Sequence, residues 1–199
     1  MTANRIRIRK LTVTALMGAA ATVLMFLSFG LPFLPPYLKF DFSELPALLA
    51  SFALGPVSGA AVCLIKNVFN VFASTTGGVG ELCNFLIGCF FVVPAGWLYR
   101  KQESRRGALL GCLAGLLIST AASVLINYYV VYPAYTLVLP EEAILGMYQA
   151  LLPGVQNLFQ GILAFNTPLT FAKEALDVLV TFLIYKKLSP VLKGTKRSD

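Results

Sequence analysis

The chain has 199 residues, of which 57% are hydrophobic and 13% charged, with a net charge of +7 and no histidine. An ordinary soluble domain has about 25% charged residues, so this composition excludes a typical soluble protein, a disordered chain and a basic nucleic-acid binder. It indicates a small integral membrane protein with room for roughly five to seven helices of about 20 residues each.

The first predicted element is a membrane-spanning helix over 11–31. A basic segment precedes it, as in a signal peptide, but the apolar run is too long for the apolar part of a typical one. We therefore interpret it as a retained helix. Ala15 and Ala19 lie four residues apart on it, and small residues at this spacing allow another helix of the chain or of a partner to approach closely.

The next apolar segment, residues 45–73, carries Gly55-Pro56 in its middle. Proline cannot donate to the helix ladder and disfavours helical geometry in the residue before it, so we predict two helices, over 44–54 and 56–73. The first is only about 16 Å long, too short to cross about 30 Å of hydrocarbon alone. Such irregular structure is tolerated within a membrane where it packs in protein or lines a cavity.

Three further spans are predicted over 82–99, 107–132 and 167–187, with an outer lid of one or two short helices over 133–166. All six helices belong to a single transmembrane domain over 1–199. The four cysteines fall in apolar runs and are interpreted as small buried hydrophobes. Because the chain has no histidine and no CxxC pair, no metal site is predicted.

The positions of the basic residues predict the topology. Thirteen of the sixteen fall in three clusters, at 5–10, 100–106 and 186–197. Positive charge beside a span stays in the cytoplasm, so an even number of spans must separate successive clusters. Six helices with a break at Gly55-Pro56 meet this condition and place both termini in the cytoplasm, whereas a single helix over 45–73 does not.

With this topology, most of the remaining polar residues lie on the outer side. A proline-rich loop over 31–43 and a glycine- and hydroxyl-rich loop over 73–81 face outward, and the second can bring its backbone close to a ligand or form an ordinary turn. Lys173 and Asp177 share a helix face and could pair. Charged residues in spans usually face a cavity, although Lys66 could instead extend to the interface. We predict an outward-facing polar pocket.

Aromatic residues near this side are candidates for stacking on a flat ligand. They are Tyr37, Phe40, Tyr128 and Tyr129. For each one alone, a place in the aromatic belt at the membrane interface is an equally ordinary role.

Several segments resemble the S component of energy-coupling-factor (ECF) vitamin transporters, in particular its riboflavin-binding type. They are PPYLKFDFSELPALLASFALGP (35–56), IKN (65–67), STTGGVGELCNF (74–85), NYY (127–129) and TPLTFAKEALDVLVTFLIYKKLSP (167–190). The resemblance implies six helices, a pocket near the outer face that binds riboflavin as the transported ligand, and neither enzymatic activity nor a catalytic cofactor.

The resemblance also implies partners in the bacterial plasma membrane. These are the lipid bilayer, a membrane-embedded coupling subunit that docks on Ala15 and Ala19, and two cytoplasmic ATPases of the ABC type. No nucleic acid is expected. The chain itself has no GxxxxGK[ST] nucleotide-binding loop, which agrees with energy supplied by separate subunits.

Carried over residue by residue, the resemblance implies that Asn127 and Lys173 contact the isoalloxazine ring. A third matching position is usually Asn but is Thr170 here. A threonine offers one hydroxyl where an amide both donates and accepts, a loss of about 1–3 kcal/mol unless a neighbour such as Asn166 replaces the partner. The full set of predicted ligand-binding residues is Leu38, Lys39, Phe40, Asp41, Lys66, Asn67, Thr75, Thr76, Gly77, Glu81, Asn84, Asn127, Asn166, Thr170 and Lys173.

Other functions remain as alternatives. The ligand could be another flavin, such as FMN or an analogue, or a different heterocyclic vitamin. A self-sufficient secondary carrier and a scaffold without a ligand are further possibilities. An ion pathway is disfavoured because the inner halves of the predicted spans carry almost no charge, and an enzyme is disfavoured because no acid/base set collects at one site.

Overall fold

The computed structural model describes residues 3–35, 38–74, 76–137 and 139–193, with side chains described up to residue 184. These residues are almost entirely helical. In chain order the elements are α1 (Ala3–Phe26), β1 (Phe29–Gly30), β2 (Lys39–Phe40), α2 (Glu44–Leu54), α3 (Pro56–Val71), α4 (Val79–Lys101), α5 (Arg105–Ile126), a π-helical turn (Asn127–Val131), α6 (Tyr132–Tyr135), α7 (Glu141–Gln149), α8 (Leu158–Gly161), a second π-helical turn (Ile162–Asn166) and α9 (Thr167–Lys193).

The first helix ends five residues before the predicted end of its span. Phe29 and Gly30 leave the helix and pair antiparallel with Phe40 and Lys39. The periodicity of a short apolar run does not show whether it forms helix or strand. Here the last residues of the run form a strand that pairs with the end of the proline-rich loop. This two-residue ladder is the exception to an otherwise all-α fold in the described residues.

The long apolar segment after this loop is divided into two helices at Gly55. Gly55 has a φ of +106°, a conformation that L-residues rarely adopt, and Pro56 opens α3 where a missing N–H costs nothing. Eight of the eleven residues of α2 are buried. The short helix is therefore surrounded by protein, which is the condition expected for a helix too short to cross a bilayer.

Helices α4 and α5 pack closely through small residues. An added Cβ at Gly111 would lie 2.5 Å from the carbonyl oxygen of Ala95, and one at Gly115 would meet the carbonyl of Phe91. Glycine at these positions lets the two backbones approach each other, as is common between helices in membranes.

Both π-helical turns lie within longer continuous helices. The first joins α5 to α6, so this helix extends beyond the predicted span over 107–132, and the second joins α8 to α9. The helix that carries the predicted last span therefore begins at Leu158 rather than at 167. What remains of the predicted lid is α7 and its connections, and α7 packs through Ile144 and Tyr148 on the helices below.

Three helical segments in the described part of the chain are long and apolar enough to cross a membrane. They are Asn4–Phe26, Val79–Lys101 and Arg105–Tyr135.

Candidate functional site

A cavity of about 330 Å³ opens at one end of the helix bundle. Helix ends form its walls: the last residues of α1 and α3, the first residues of α2 and α4, the α5–α6 junction and the start of α9. Because successive helices contribute alternate ends, the cavity collects residues from nearly the whole chain. The opposite end of α4, Lys101, lies about 30 Å away along the helix axis.

Ten of the predicted ligand-binding residues line this cavity. They are Leu38, Lys39, Asp41, Thr76, Glu81, Asn84, Asn127, Asn166, Thr170 and Lys173. Phe40, Lys66, Asn67 and Gly77 do not line it, and Thr75 lies outside the described residues. Sequence reasoning missed several lining residues, among them Met25, Ser28, Glu44 and Asn70. Glu44 could have been found as the acidic residue at the predicted start of the helix over 44–54, three positions after Asp41.

The aromatic residues of the cavity differ from those predicted. Tyr132 and Tyr135 line it, whereas Tyr128 and Tyr129 are exposed on the outside of the bundle. Asn127 faces the cavity, and the residues that share its side of the helix come four, five and eight positions later rather than immediately after. Of the other two candidates, Phe40 packs on Phe29 with ring centroids 5.6 Å apart, and Tyr37 lies outside the described residues.

An ion pair between α9 and the loop before α2 forms one wall. The ammonium group of Lys173 donates to Asp41 Oδ2 at 3.0 Å, and the Ser43 N–H donates to Asp41 Oδ1 at 2.8 Å. Burial opposes ionisation of Asp41, but the positive charges of Lys173 and Lys66 and the bonds from Ser43 outweigh it and lower the pKa of this carboxyl to about 2. The pair is therefore ionic at neutral pH.

The ion pair that the spacing of Lys173 and Asp177 allows does not form among the described residues. Lys173 instead reaches Asp41 across the cavity wall, because the loop before α2 brings that carboxylate to it. Asp177 lies one turn deeper on α9, is fully buried, and has no hydrogen-bond partner on either oxygen within the described residues.

A second buried lysine lies beneath the cavity. Lys66 donates to Glu44 Oε1 at 2.7 Å, to Ser43 Oγ at 2.6 Å and to Asn84 Oδ1 at 2.9 Å, and it is fully buried. It therefore neither lines the cavity nor extends to the interface. It holds in place Glu44 and Asn84, which do line the cavity. Its neighbour Asn67 donates to the carbonyl of Cys63 at 2.8 Å.

Glu81 organises the loop between α3 and α4. Its carboxylate accepts hydrogen bonds from Asn70 at 2.9 Å, Ser74 at 2.7 Å and Thr76 at 3.3 Å. The chain turns at Gly77 and Gly78, whose φ angles are +63° and +89°. The loop is thus fixed over the cavity by the first turn of α4, and Gly77 serves the turn rather than the cavity wall.

The opposite end of the bundle carries the basic clusters at 5–10 and 100–106, since the ends of α1 and α4 that line the cavity are the ends away from these clusters. The third cluster, 186–197, lies wholly outside the described side chains. Ala15 and Ala19 are both exposed on α1, so none of the described residues covers this part of the helix surface.

A family model described as the substrate-specific component of ECF transporters matches residues 9–185. The chain belongs to this family. S components are integral membrane proteins of transporters, which agrees with the three long apolar helices, and this S component is located in the plasma membrane.

Similar proteins cover nearly the same length. The riboflavin transporter RibU of Staphylococcus aureus (strain TCH60) is 34% identical over 185 residues, 93% of each chain. The riboflavin transporter FmnP of Bacillus subtilis (strain 168) is 36% identical over 187 residues, 92% of this chain and 94% of that one. A solved S component of a bacterial ECF transporter is 33% identical, with a TM-score of 0.74 over 94% of this chain and 99% of its own. ThiT from Listeria monocytogenes, at 14% identity and a TM-score of 0.64, shares the fold.

Proposed function

We propose that this S component binds riboflavin in the cavity and delivers it to an ATP-driven coupling module. The observation that carries the proposal is the cavity itself, with hydrogen-bonding groups along one wall and tyrosines on another. Two relatives that align over more than nine-tenths of the chain bear the name riboflavin transporter. The chain acts as a binding subunit and has no ATPase activity of its own.

The chemistry of the wall suits a flavin ring. The edge of the isoalloxazine presents two carbonyl oxygens on either side of an N–H. Asn127 and Lys173 supply donors for the carbonyls, and the Thr170 hydroxyl can accept from the N–H. Tyr132 and Tyr135 supply aromatic faces for the apolar part of the ring.

The polyol tail of riboflavin finds partners on the far side of the cavity. Thr76, Glu81 and Asn84 lie there, around the first turns of α4. A carboxylate in this position accepts hydrogen bonds from hydroxyls but repels a phosphate, so we expect riboflavin to be preferred to FMN.

The topology follows from charge. The cavity lies opposite the basic clusters, and positive charge beside spans stays in the cytoplasm, so the cavity faces outward and both termini are cytoplasmic. The six spans of this arrangement are α1, α2, α3, α4, the α5–α6 helix and the α8–α9 helix. The burial of α2 by its neighbours supports its place among them although it is short.

A titration of the purified protein tests the ligand. In detergent, riboflavin fluorescence should be quenched on binding, and a sample purified from riboflavin-rich medium should be yellow and release a flavin on denaturation. FMN should bind more weakly, and thiamine, a vitamin without a flavin ring, should not bind. A colourless protein that leaves riboflavin fluorescence unchanged would overturn the proposal.

The partner surface is tested separately. We expect the coupling subunit, with its two ATPases, to dock on the exposed face of α1 around Ala15 and Ala19, where small side chains permit close helix packing. Ala15→Trp should abolish co-purification with the coupling subunit and leave riboflavin binding intact. Ala20→Trp, an exposed alanine on another face of the same helix, is the matched control. Equal co-purification of the two variants would contradict this docking site.

A further inference from the structure

Tyr148 lies on α7, outside the cavity, yet its hydroxyl is joined to the cavity wall. Its side chain is fully buried, and its ring stacks on Phe165 with centroids 5.4 Å apart. The hydroxyl is 2.7 Å from Asn166 Oδ1. Asn166 lines the cavity at the end of the second π-helical turn, so the bond links the lid helix to a residue that faces the ligand site.

From Asn166 the hydrogen bonds continue along the wall. Asn166 Nδ2 donates to Asn127 Oδ1 at 3.1 Å, and Asn127 Nδ2 donates to the carbonyl oxygen of Ser123 at 2.7 Å. Asn127 opens the first π-helical turn. The two π-helical turns thus face each other through their asparagine amides, and irregular turns of this kind are frequent at functional sites.

The order of donors in this chain is fixed from its far end. The Ser123 carbonyl can only accept, so the nitrogen of the Asn127 amide must face it and the amide oxygen must face Asn166. Asn166 must then present its nitrogen to Asn127 and its oxygen to Tyr148, which leaves Tyr148 as the donor. One amide hydrogen of Asn127 then has no acceptor among the described residues, and Asn127 lines the cavity.

We propose that Tyr148 is a positioning residue for ligand specificity: its hydroxyl and the Ser123 carbonyl anchor the two ends of the Asn166–Asn127 amide pair, and this pair contacts the polar edge of the ligand. When the Tyr148 hydroxyl is removed, the buried oxygen of Asn166 loses its hydrogen bond. The Asn166 amide then turns toward the cavity to find another donor. Asn127 Oδ1 then loses its bond from Asn166 and keeps only the contact from the Cys83 thiol at 3.7 Å. The Asn127 amide, bonded at one end to Ser123, is held less firmly, and its second N–H is directed less closely at the ligand. The inference rests on the proposed riboflavin function.

Tyr148→Phe removes the hydroxyl and keeps the stacked ring. The test compares riboflavin with N3-methylriboflavin, whose methyl group lies between the two carbonyl oxygens and keeps the polar edge from closing on the Asn127 amide. Wild-type protein should prefer riboflavin by about tenfold or more, since a buried donor or acceptor left unpaired lowers affinity by this order. In Tyr148→Phe, riboflavin should bind about tenfold more weakly while N3-methylriboflavin changes by less than about twofold.

A purely structural role would weaken both ligands equally, and that result, or an unchanged preference, would overturn the inference. Tyr129→Phe, which alters an exposed tyrosine outside the cavity, should leave both affinities unchanged. If Tyr148→Phe does not fold, Asn166→Ser interrupts the same chain of bonds, because a serine hydroxyl is too short to join Tyr148 to Asn127. An Asn166→Ser protein with the wild-type preference would also overturn it. Failure of the wild type to bind riboflavin would instead refute the proposed function.

Discussion

Two buried lysines, Lys66 and Lys173, lie at different depths beneath the same loop and pair with carboxylates only three residues apart. Glu44 pairs with Lys66 from α3, and Asp41 pairs with Lys173 from α9. Both pairs connect the start of α2 to another helix. Of the two, only Lys173 lines the cavity, and we propose different roles for them.

The surroundings of the two ammonium groups explain this difference. An ammonium group has three N–H donors. Those of Lys66 meet Ser43, Glu44 and Asn84, all within the protein. Lys173 donates to Asp41 in the described structure and keeps donors for a ligand at the cavity. We therefore propose that Lys66, whose three donors bond within the protein, stabilises the fold. Lys173, which uses only part of its donors within the protein, can also bind a ligand.

Of the variants considered, Lys66→Met should have the largest effect, because it removes the lysine that we expect to stabilise the fold. It leaves Glu44 buried without its cation, which we expect to destabilise the fold by about 3–5 kcal/mol. Thermal unfolding in detergent, followed by the loss of monodisperse protein, measures it. The double variant Lys66→Met/Glu44→Gln should recover part of the loss, and Lys39→Met, at an exposed lysine, should change little. Wild-type melting of Lys66→Met would contradict the assignment.

Lys173→Ala should separate binding from stability. Loss of a charge-assisted hydrogen bond corresponds to roughly 10- to 100-fold weaker riboflavin binding. The unfolding temperature should fall less than in Lys66→Met, because water can enter the cavity and solvate Asp41. Riboflavin titration and thermal unfolding of the same preparation measure the two effects separately. Lys173→Arg, which keeps the charge, is the control. Unchanged affinity would remove Lys173 from the site.

Thr170→Asn should increase the affinity for riboflavin, by a smaller factor than Lys173→Ala lowers it. The threonine lines the same wall as Lys173, and an amide there adds both a donor and an acceptor for the flavin edge. One further hydrogen bond of about 0.5–1.5 kcal/mol corresponds to roughly 2- to 10-fold tighter binding. Thr170→Val, of equal size but without the hydroxyl, should bind more weakly. Weaker binding by Thr170→Asn would mean that this wall does not face the ring edge.

The smallest expected effect is that of pH. The pKa of Asp41 is lowered from 3.8 to about 2, so the stability that its ionised form contributes is present above about pH 4 and is lost as the pH falls toward 2. Because Asp41 stays ionised between pH 8 and pH 5, the Asp41–Lys173 pair should cause no change in riboflavin affinity over this range. The same titration at several pH values measures it. A decrease in the wild type across this range that Asp41→Asn does not share would contradict an ionic Asp41–Lys173 pair.

The parts of the fold that depend on local chemistry could be predicted from the sequence. A glycine followed by proline in a long apolar run predicts the break between α2 and α3, and the chain breaks at Gly55. The scarcity of charges in the spans made the few polar residues informative. Ten of the fifteen predicted ligand residues therefore line one cavity.

The parts that depend on contacts between distant segments could not be predicted. Lys173 pairs with Asp41, which is 132 positions away in sequence, rather than with Asp177 on its own helix. The π-helical turn that begins at Asn127 changes which later residues share its side of the helix. The residue pattern alone does not predict that Tyr132 rather than Tyr128 faces the cavity. The β1–β2 ladder likewise needs the loop to fold back on itself.

The walls of the cavity come from residues between Met25 and Glu174, so a fragment that lacks either the end of α1 or the start of α9 cannot contain all of it. A ligand that needs this cavity recognises the polypeptide only after its last helix has been inserted beside α2. Retention of a coloured flavin would consequently report complete assembly in the bilayer. It would allow large mutant libraries to be sorted for correct membrane insertion without a transport assay.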